Sequence, residues 1–420
     1  MCGINGIISK DKNKDKLIKS MNEKILHRGP DAEGIFVEGD VALGQRRLSI
    51  IDLAGGNQPI YNEDKSILIM YNGEVYNYKE LKEELTEYKF ETESDTEVVL
   101  HGYEKWGHDL PKKLRGMFAY AIYDKNKGEI FISRDQFGIK PLYYYHDGDT
   151  ILFGSEIKSF LAYPKFKKVL NKELLGAYLT FSFTPTDETF FKGVYRLPSG
   201  HSMTIDVKKR KIKIDRYFKV EFGNTDKSFD EVVKDISTAM KDSTEHHLIS
   251  DVEVGSFLSS GVDSSYLVSL AKPDKTYTIG FDLAKYSEID YAKDLTDKLN
   301  IKNISEKISK EEYMNALSEV YYHMDEPTAD GCAIAVYFLS RLASKDVKVV
   351  LSGEGADEFF GGYNSYDDNF YTKLPFFIRK SMASICKILP KNKITRYIIR
   401  RGLPLEESYV SINRTYYDDE

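Results

Sequence analysis

The second residue of the chain is a cysteine, which could act as a nucleophile at this position. Removal of Met1, which a small second residue permits, would leave Cys2 with both a thiol and a free α-amino group of pKa about 7.7–8.0. The amine could then accept the proton of the attacking thiol, directly or through a water molecule. A cysteine here can also be a chance occurrence, so the prediction depends on the residues that follow.

Further motifs follow Cys2 in a characteristic order. They read Cys2-Gly3-Ile4, His27-Arg28-Gly29-Pro30-Asp31, Arg47-Leu48-Ser49-Ile50, Tyr71-Asn72-Gly73-Glu74 and Ser94-Asp95-Thr96-Glu97. In this order they resemble the glutaminase domain of class II glutamine amidotransferases, which use an N-terminal nucleophile. The resemblance covers residues 2–200 and includes the segments 115–119 and 134–138.

Glutamine carries an α-carboxylate, an α-ammonium group and a carboxamide, and each needs a partner. By residue type and by the resemblance, Arg47 would hold the carboxylate bidentately, while Glu74 and Asp95 would take the ammonium. The Asn72 side chain and the Gly73 N–H would stabilise the oxyanion formed by attack on the amide, at about 2.7–4 kcal/mol for each donor. Asn-Gly between hydrophobic runs also predicts a hairpin turn, which could present the same groups. The resemblance adds four residues to the glutamine site, namely Leu48, Ser49, Ile50 and Ile51.

The second half contains a loop that could bind phosphate. A predicted strand at 254–258 leads into a Ser/Gly/Asp segment at 259–265 and then an apolar helix, an order that exposes backbone N–H groups to phosphate. Such a loop can also be a simple helix cap. It resembles the SGGxDS loop of the ATP pyrophosphatases, although Ser260 stands where that motif has glycine, and a Cβ there disfavours close phosphate approach. The resemblance assigns ATP binding to Ser259, Gly261 and Ser264, and Mg²⁺ binding to Asp263.

A second acidic segment follows the predicted strand at 347–351. Glu354, Asp357 and Glu358 have the spacing that places side chains on one face of a helix. Acids at a helix N-terminus can simply balance the helix dipole, but hard oxygen ligands near phosphate also bind Mg²⁺. Because parallel strand ends lie at one edge of a sheet, Asp263 and Asp357 are predicted to converge on one Mg²⁺–ATP.

The glutaminase motifs, the phosphate loop and the segment at 352–363 together resemble the glutamine-hydrolysing asparagine synthetases over nearly the whole chain. The resemblance implies that ammonia from glutamine attacks a β-aspartyl-AMP intermediate, with release of AMP and pyrophosphate. Glu354 and Asp357 would serve aspartate adenylation. The adenine would lie between Leu258 and Ile279. The remaining nucleotide contacts implied are Ser352 and Gly353.

Members of this family are appreciably longer and carry a catalytic lysine beyond the acidic segment. Lys373, Lys380 and Lys387 lie too close to that segment to take its place. The chain is therefore expected to be a fragment, to be completed by a C-terminal polypeptide, or to have an impaired synthetase half; a homodimer is a further expectation. The alternatives are a glutaminase alone, a regulatory chain that depends on a partner, and an amidotransferase acting on another carboxylate.

Two patterns of secondary structure must position these residues. Short strands and few helices in residues 2–218 predict a layered α/β sandwich, which the resemblance makes the αββα sandwich of N-terminal nucleophile enzymes. Strands alternating with longer helices in 229–420 predict a parallel-sheet α/β nucleotide-binding domain, C-terminally incomplete relative to the family, and the polar segment 219–228 predicts a linker. The predicted strands are 35–37, 67–71, 118–123, 130–133, 142–145, 151–154, 254–258, 276–281 and 347–351. The predicted helices are 14–26, 79–85, 95–106, 229–246, 264–271, 291–299, 310–323 and 333–344.

The composition restricts the possible partners. The chain has 420 residues, 41% of them hydrophobic, and a net charge of −7, so no basic field is available to attract nucleic acid or anionic lipid. No signal-like or membrane-spanning stretch is evident, which predicts a cytoplasmic protein. Cys2, Cys332 and Cys386 fit neither a disulfide framework nor a zinc site. The expected partners are the small molecules glutamine, aspartate and ATP.

Overall fold

Two antiparallel sheets make up most of the first half of the chain. The computed structural model describes residues 1–282, 287–328, 331–363, 373–390 and 392–404. The strands of the first half are β1 (Gly3–Ile8), β2 (Ala32–Glu38), β3 (Val41–Arg47), β4 (Ile60–Tyr61), β5 (Ile67–Val75), β6 (Gly116–Asp124), β7 (Glu129–Arg134), β8 (Tyr143–His146), β9 (Ile151–Gly154), β10 (Val194–Arg196), β11 (His201–Asp206) and β12 (Lys211–Arg216). The helices are α1 (Lys14–Lys24), α2 (Tyr78–Glu84), α3 (Asp95–Trp106) and α4 (Leu175–Phe181).

The two sheets pack face to face and carry helices on their outer faces. Their strand orders are β10-β8-β9-β1-β3-β2 and β12-β11-β7-β6-β5-β4. Alternation along a strand sends one side chain to each face. Ile4 of β1 and Leu68 of β5 share the core between the sheets, while Ile7 packs with α1 and Ile69 packs with α2 and α3. This arrangement confirms the predicted αββα sandwich.

The second half forms a parallel sheet flanked by helices, as predicted. Its four strands lie in the order β15-β14-β13-β16, and all neighbours are parallel. The strands are β13 (Val254–Phe257), β14 (Lys275–Phe281), β15 (Lys302–Ile308) and β16 (Val349–Leu351). The helices are α5 (Phe229–His247), α6 (Val262–Ala271), α7 (Ile289–Leu299), α8 (Lys310–Met324), α9 (Cys332–Ala343), α10 (Ala356–Phe360), α11 (Phe376–Cys386) and α12 (Lys393–Arg401). Because β13 and β16 are neighbours, the loops that follow them leave the sheet at the same edge.

Regular structure is absent between Arg216 and Phe229, a stretch that the structure describes in full and that contains the predicted linker. Within the described ranges, no helix is long and apolar enough to cross a membrane. Residues 405–420, the end of the predicted synthetase domain, lie outside the described residues.

The hairpin turn predicted at Asn72-Gly73 is wrong. Both residues lie inside β5, where Asn72 is opposite Ala119 and Gly73 is opposite Phe118 of β6. A Cβ built on Gly73 would lie 2.5 Å from the Met117 carbonyl oxygen. Glycine is needed at this position because β5 and β6 approach closely here. Pairing with β6 therefore keeps Asn72-Gly73 in a strand, although the dipeptide is typical of turns.

Candidate active sites

A cleft in the first half opens beside Cys2. It encloses about 290 Å³, including space open to solvent. Seven of the other residues predicted to bind glutamine line it with Cys2: Arg47, Leu48, Ile50, Ile51, Gly73, Glu74 and Asp95. The structure therefore brings together side chains from the N-terminus, from β3 and the loop that follows it, from β5 and from the start of α3.

The thiol of Cys2 sits against the backbone of the segment that follows β3. Its Sγ accepts the Leu48 N–H at 3.3 Å. Burial raises the pKa of the thiol, and the Leu48 N–H offsets only part of that effect. The α-amino group next to it belongs to Met1, and burial lowers its pKa to about 5. An amine in these surroundings is neutral at pH 7 and can accept a proton.

Two buried carboxylates, Glu74 and Asp95, face the cleft and differ in their hydrogen bonding. Asp95 accepts hydrogen bonds from the Tyr71 hydroxyl at 2.8 Å and the Val75 N–H at 2.9 Å. Oε2 of Glu74 is buried and has no hydrogen-bond partner among the described residues. Burial and the neighbouring Asp95 hold the pKa of Glu74 well above its usual value, and burial also raises the pKa of Asp95. A cation placed between them would satisfy Glu74 and favour both charged forms.

Asn72 is oriented by β5 and lacks a partner in the structure. Both polar atoms of its side chain are buried without a hydrogen bond to any described residue. Burying an amide in this state is costly, because its lost contacts with water are not replaced. Asn72 itself does not line the cleft, but an amide donor without a partner is what an oxyanion would need. Gly73, the next residue of β5, lines the cleft itself.

Arg47 does not offer the open guanidinium fork predicted for a carboxylate. Its Nη2 donates to the carbonyls of Ile51 and Asp52 at 3.1 and 2.6 Å. Its Nη1 donates to Asn57 Oδ1 at 3.0 Å and contacts the Leu53 carbonyl at 3.5 Å. Arg47 therefore fixes the loop after β3 and leaves mainly its Nε–H for a ligand. Ser49, another predicted contact, gives its N–H to Asp31 at 2.9 Å and does not line the cleft.

Two cations near Cys2 were not assigned a role from the sequence. Nε of Arg28 donates to the Cys2 carbonyl at 2.9 Å. Lys140 is buried, with Nζ 3.2 Å from the Met1 sulfur. Burial lowers the pKa of its ammonium, and Glu74 offsets part of that effect. Both stand in or beside the quoted motifs, Arg28 within 27–31 and Lys140 two residues after Gly138, so the signal was present.

The predicted phosphate loop connects β13 to α6, and hydrogen bonds of its own serine side chains hold its two ends together. The Ser259 and Ser264 hydroxyls are 2.8 Å apart, and the Gly261 N–H donates to Ser259 Oγ at 3.1 Å. Asp263 lies in the first turn of α6. Ser260 is not among the residues with positive φ, and its hydroxyl donates to Glu288 at 2.7 Å. The serine that departs from the family motif is therefore accommodated without backbone strain.

The loop after β16 touches the phosphate loop, as the predicted convergence requires. A Cβ on Gly353 would lie 3.1 Å from the Ser264 backbone nitrogen and 3.3 Å from the Asp263 Cβ. Asp357 lies in α10, but this helix begins at Ala356, so Glu354 precedes it and the predicted single helical face does not form. The described part of the chain contains no group of three or more His, Cys, Asp or Glu that could hold a metal. Mg²⁺ commonly takes only one or two carboxylates together with substrate phosphates, so the predicted pair Asp263 and Asp357 would not need such a group.

The residues expected to bracket adenine lie on neighbouring parallel strands, Leu258 directly after β13 and Ile279 in β14, but their side chains pack in different clusters. Leu258 packs with Val268 and Ala292, whereas Ile279 belongs to the cluster around Phe338. Both side chains are buried in this structure. Ser352 and Gly353 follow β16 directly, beside the phosphate loop.

Comparison with known proteins gives a match to both halves. Residues 1–218 match the family described as glutamine amidotransferase domain, and residues 235–406 match the family described as asparagine synthase. Asparagine synthetase [glutamine-hydrolyzing] 1 of Bacillus subtilis (strain 168) is 42% identical, over 98% of this chain and 67% of that protein.

Two other relatives give similar results. The putative asparagine synthetase [glutamine-hydrolyzing] 2 of Methanocaldococcus jannaschii is 38% identical, over 90% of this chain and 79% of its own length. A putative asparagine synthetase [glutamine-hydrolyzing] of Mycobacterium tuberculosis is 37% identical, over 93% of this chain and 64% of its own length. The chain thus spans about two thirds to four fifths of the length of these three relatives.

Proposed function

This chain belongs to the family of glutamine-hydrolysing asparagine synthetases, and we propose that it converts aspartate to asparagine with ammonia released from glutamine. The proposal assigns glutamine hydrolysis to residues 2–218 and ATP-dependent amidation to residues 229–420, joined by 219–228. The observation that carries it is the cleft in which Cys2 meets the buried acids Glu74 and Asp95. That combination suits an amide substrate that also bears an ammonium group.

The first half-reaction begins at the Cys2 thiol, once Met1 has been removed. The sulfur attacks the carboxamide carbon of glutamine, and the thiol proton passes to the α-amino group of the same residue. Asn72 Nδ2 and the Gly73 N–H stabilise the oxyanion. The ammonium of Cys2 then gives its proton to the amide nitrogen of the tetrahedral species, which collapses to release ammonia and leaves a γ-glutamyl thioester. Water then hydrolyses the thioester to glutamate and regenerates the thiol.

Substrate orientation follows from charge. Glu74 and Asp95 receive the α-ammonium group, which restores the charge balance of two carboxylates that burial disfavours. Arg47 contributes one N–H to the α-carboxylate and holds the loop that closes around it. Leu48, Ile50 and Ile51 line the aliphatic part of the substrate.

The second half-reaction takes place at the edge of the parallel sheet. A β-carboxylate oxygen of aspartate attacks the α-phosphorus of ATP, pyrophosphate leaves, and ammonia displaces AMP from the resulting β-aspartyl-AMP. The loop containing Ser259, Gly261 and Ser264 receives the phosphates at the N-terminus of α6. Asp263 and Asp357 would hold Mg²⁺, which neutralises phosphate charge when bound. The proposal gives Glu354 and Asp357 the adenylation step, and Ser352 and Gly353 the nucleotide contacts.

The test follows amide nitrogen. The full chain is incubated with amide-¹⁵N glutamine, aspartate and Mg²⁺–ATP, and the products are separated by mass spectrometry. We expect ¹⁵N-asparagine, with one AMP and one pyrophosphate for each asparagine. Formation of glutamate without pyrophosphate would contradict the proposal and favour the glutaminase-only alternative. Adding a complementing C-terminal polypeptide would then test whether the synthetase half needs that partner. Label in another amide would identify a different carboxylate acceptor.

A further inference from the structure

A buried ionic network joins the second half of the chain to the first. Its charged members are Arg28, Glu156 and Lys158 from the first half and Asp325, just after α8, from the second. His27 Nε2 also lies 2.9 Å from Glu156 Oε1. The side chains of Lys158, Asp325 and Glu156 are 3%, 5% and 7% exposed. Buried charges of this kind are tolerated only when each is paired, so the set depends on contact between the two halves.

The network leads from Asp325 to the backbone of the nucleophile. Lys158 Nζ is 2.9 Å from Asp325 Oδ1 and also contacts Glu156 Oε2. Glu156 Oε1 accepts Arg28 Nη1 at 2.9 Å, and Arg28 Nε donates to the Cys2 carbonyl at 2.9 Å. Each step is a charge-assisted hydrogen bond or a close ion pair.

A second connection between Asp325 and the region of Cys2 runs through the backbone of the segment 155–158, which follows β9. Oδ2 of Asp325 accepts the backbone N–H of Ile157 and, at 3.3 Å, that of Lys158. Two residues before Ile157, Ser155 Oγ accepts the Ile4 N–H at 3.0 Å. Ile4 lies in β1, two residues after Cys2. The segment 155–158 is therefore fixed to Asp325 at one end and, at the other, to β1, which begins directly after the nucleophile.

The charges of the network balance only when Asp325 is present. Arg28 and Lys158 are cationic and Glu156 and Asp325 are anionic, so removal of Asp325 leaves a net positive charge in a buried place. Burial alone would raise the pKa of Glu156, but His27, Arg28 and Lys158 lower it to about 2. Without Asp325, Lys158 would keep Glu156 as its charged partner, beside the His323 carbonyl at 3.3 Å, and the contacts that Glu156 shares with Arg28 would change.

We propose that Asp325, supplied by the synthetase half, is a positioning residue for Cys2, so that glutamine is hydrolysed at full rate only while the two halves are docked at this point. This inference rests on the proposed function of the cleft. It assigns the coupling between the halves to a particular path, Asp325 to Lys158 to Glu156 to Arg28, and not to the interface in general.

Glu326 provides a matched control on the same loop. It is also a buried acid that reaches across to the first half, with Oε2 2.6 Å from Arg196 Nη2 and Oε1 accepting the Phe190 N–H at 3.2 Å. None of its partners bonds to Arg28, Glu156 or Lys158 in the described ranges. Loss of its charge should disturb docking to a similar degree without entering the network.

The experiment compares Asp325→Asn and Glu326→Gln in the full chain. Steady-state glutamine hydrolysis gives kcat and KM for each. We expect Asp325→Asn to lower kcat about 10- to 100-fold, because small displacements of reacting groups are costly, with KM within about twofold of wild type. Glu326→Gln should keep kcat within about twofold. Equal losses in both variants, or an unchanged kcat in Asp325→Asn, would overturn the proposal.

A second pair of variants keeps the test decisive if Asp325→Asn does not fold. Lys158→Arg keeps the cation and should retain most of the wild-type kcat, whereas Lys158→Met should lose it as Asp325→Asn does. Equal kcat values for the two Lys158 variants would contradict the proposal. If the wild-type chain itself hydrolyses no glutamine, the proposed function fails and the inference falls with it, which distinguishes the two failures.

Discussion

Replacing Glu74 with glutamine should stabilise the free protein while weakening its binding of glutamine. Glu74 is buried near Asp95, and its Oε2 has no partner among the described residues. Burial and the Asp95 charge raise its pKa well above the usual value. When a carboxyl has a higher pKa in the folded than in the unfolded state, stability falls as pH rises from the unfolded to the folded value. At neutral pH the substitution removes this penalty, so the melting temperature of the free variant should rise.

The loss in binding can be estimated from the contact that disappears. A hydrogen bond to a charged group contributes about 1.5–3 kcal/mol, which corresponds to about a 10- to 150-fold rise in KM for glutamine. Binding of the substrate ammonium needs the charged carboxylate, so the wild-type KM should increase as pH falls through the raised pKa of Glu74. Glu74→Gln should lose most of this pH dependence.

Glu97→Gln is the control, because this buried acid of α3 is fully bonded and does not line the cleft. It accepts the Glu91 and Thr92 N–H groups at 2.8 and 2.7 Å. Burial opposes ionisation, yet His101 and these donors lower its pKa, so its charge stabilises the fold above the unfolded pKa. The variant should melt earlier with an unchanged KM. The reasoning is refuted if Glu74→Gln keeps a wild-type KM or loses as much stability as Glu97→Gln.

Three further predictions concern the two sites. Arg47→Lys cannot hold all the loop carbonyls that the guanidinium holds, so KM for glutamine should rise about tenfold in steady-state assays; an unchanged KM would rule out this role. Asp263→Asn and Asp357→Asn should each weaken Mg²⁺–ATP binding about tenfold or more by calorimetry while glutamine hydrolysis stays at the wild-type rate; wild-type affinity in either variant would remove that residue from the site. Gly353→Ala places a Cβ 3.1 Å from the Ser264 nitrogen and should likewise weaken ATP binding without affecting glutamine hydrolysis; equal affinity would mean that the two loops need not touch.

Local signals in the sequence predicted the elements that carry strong periodic patterns. The helix predicted at 95–106 is α3 with the same bounds, because Ser94 caps it with a 3.2 Å hydrogen bond to the Thr96 N–H. Among the described residues, seven strands were missed: β1, β3, β4, β10, β11, β12 and β15. The edge strands β12 and β15 carry alternating or mostly polar residues, so their sequences lack a strong apolar pattern. β1 and β3 are inner strands that pair with each other, and no local pattern indicates that pairing.

The site residues that belong to recognisable motifs could be predicted from the sequence. The interactions that depend on residues distant in the chain could not. Cys2, Glu74 and Asp95 were named from their motifs and line one cleft. Arg47 donates to carbonyls of the loop that follows it because of the path that the backbone takes after β3. Residue types alone do not reveal that path. The contact between Lys158 and Asp325 joins residues 167 positions apart, and no local pattern indicates such a pair.

The central claim is that ammonia for the second half of the chain comes from glutamine attacked at Cys2. The most direct measurement is asparagine formation by wild type and Cys2→Ala, each supplied with aspartate, Mg²⁺–ATP and either glutamine or ammonium. We expect the variant to make asparagine from ammonium at the wild-type rate and none from glutamine, because the thiol serves only the glutaminase. Asparagine or glutamate formed from glutamine by Cys2→Ala would contradict the account.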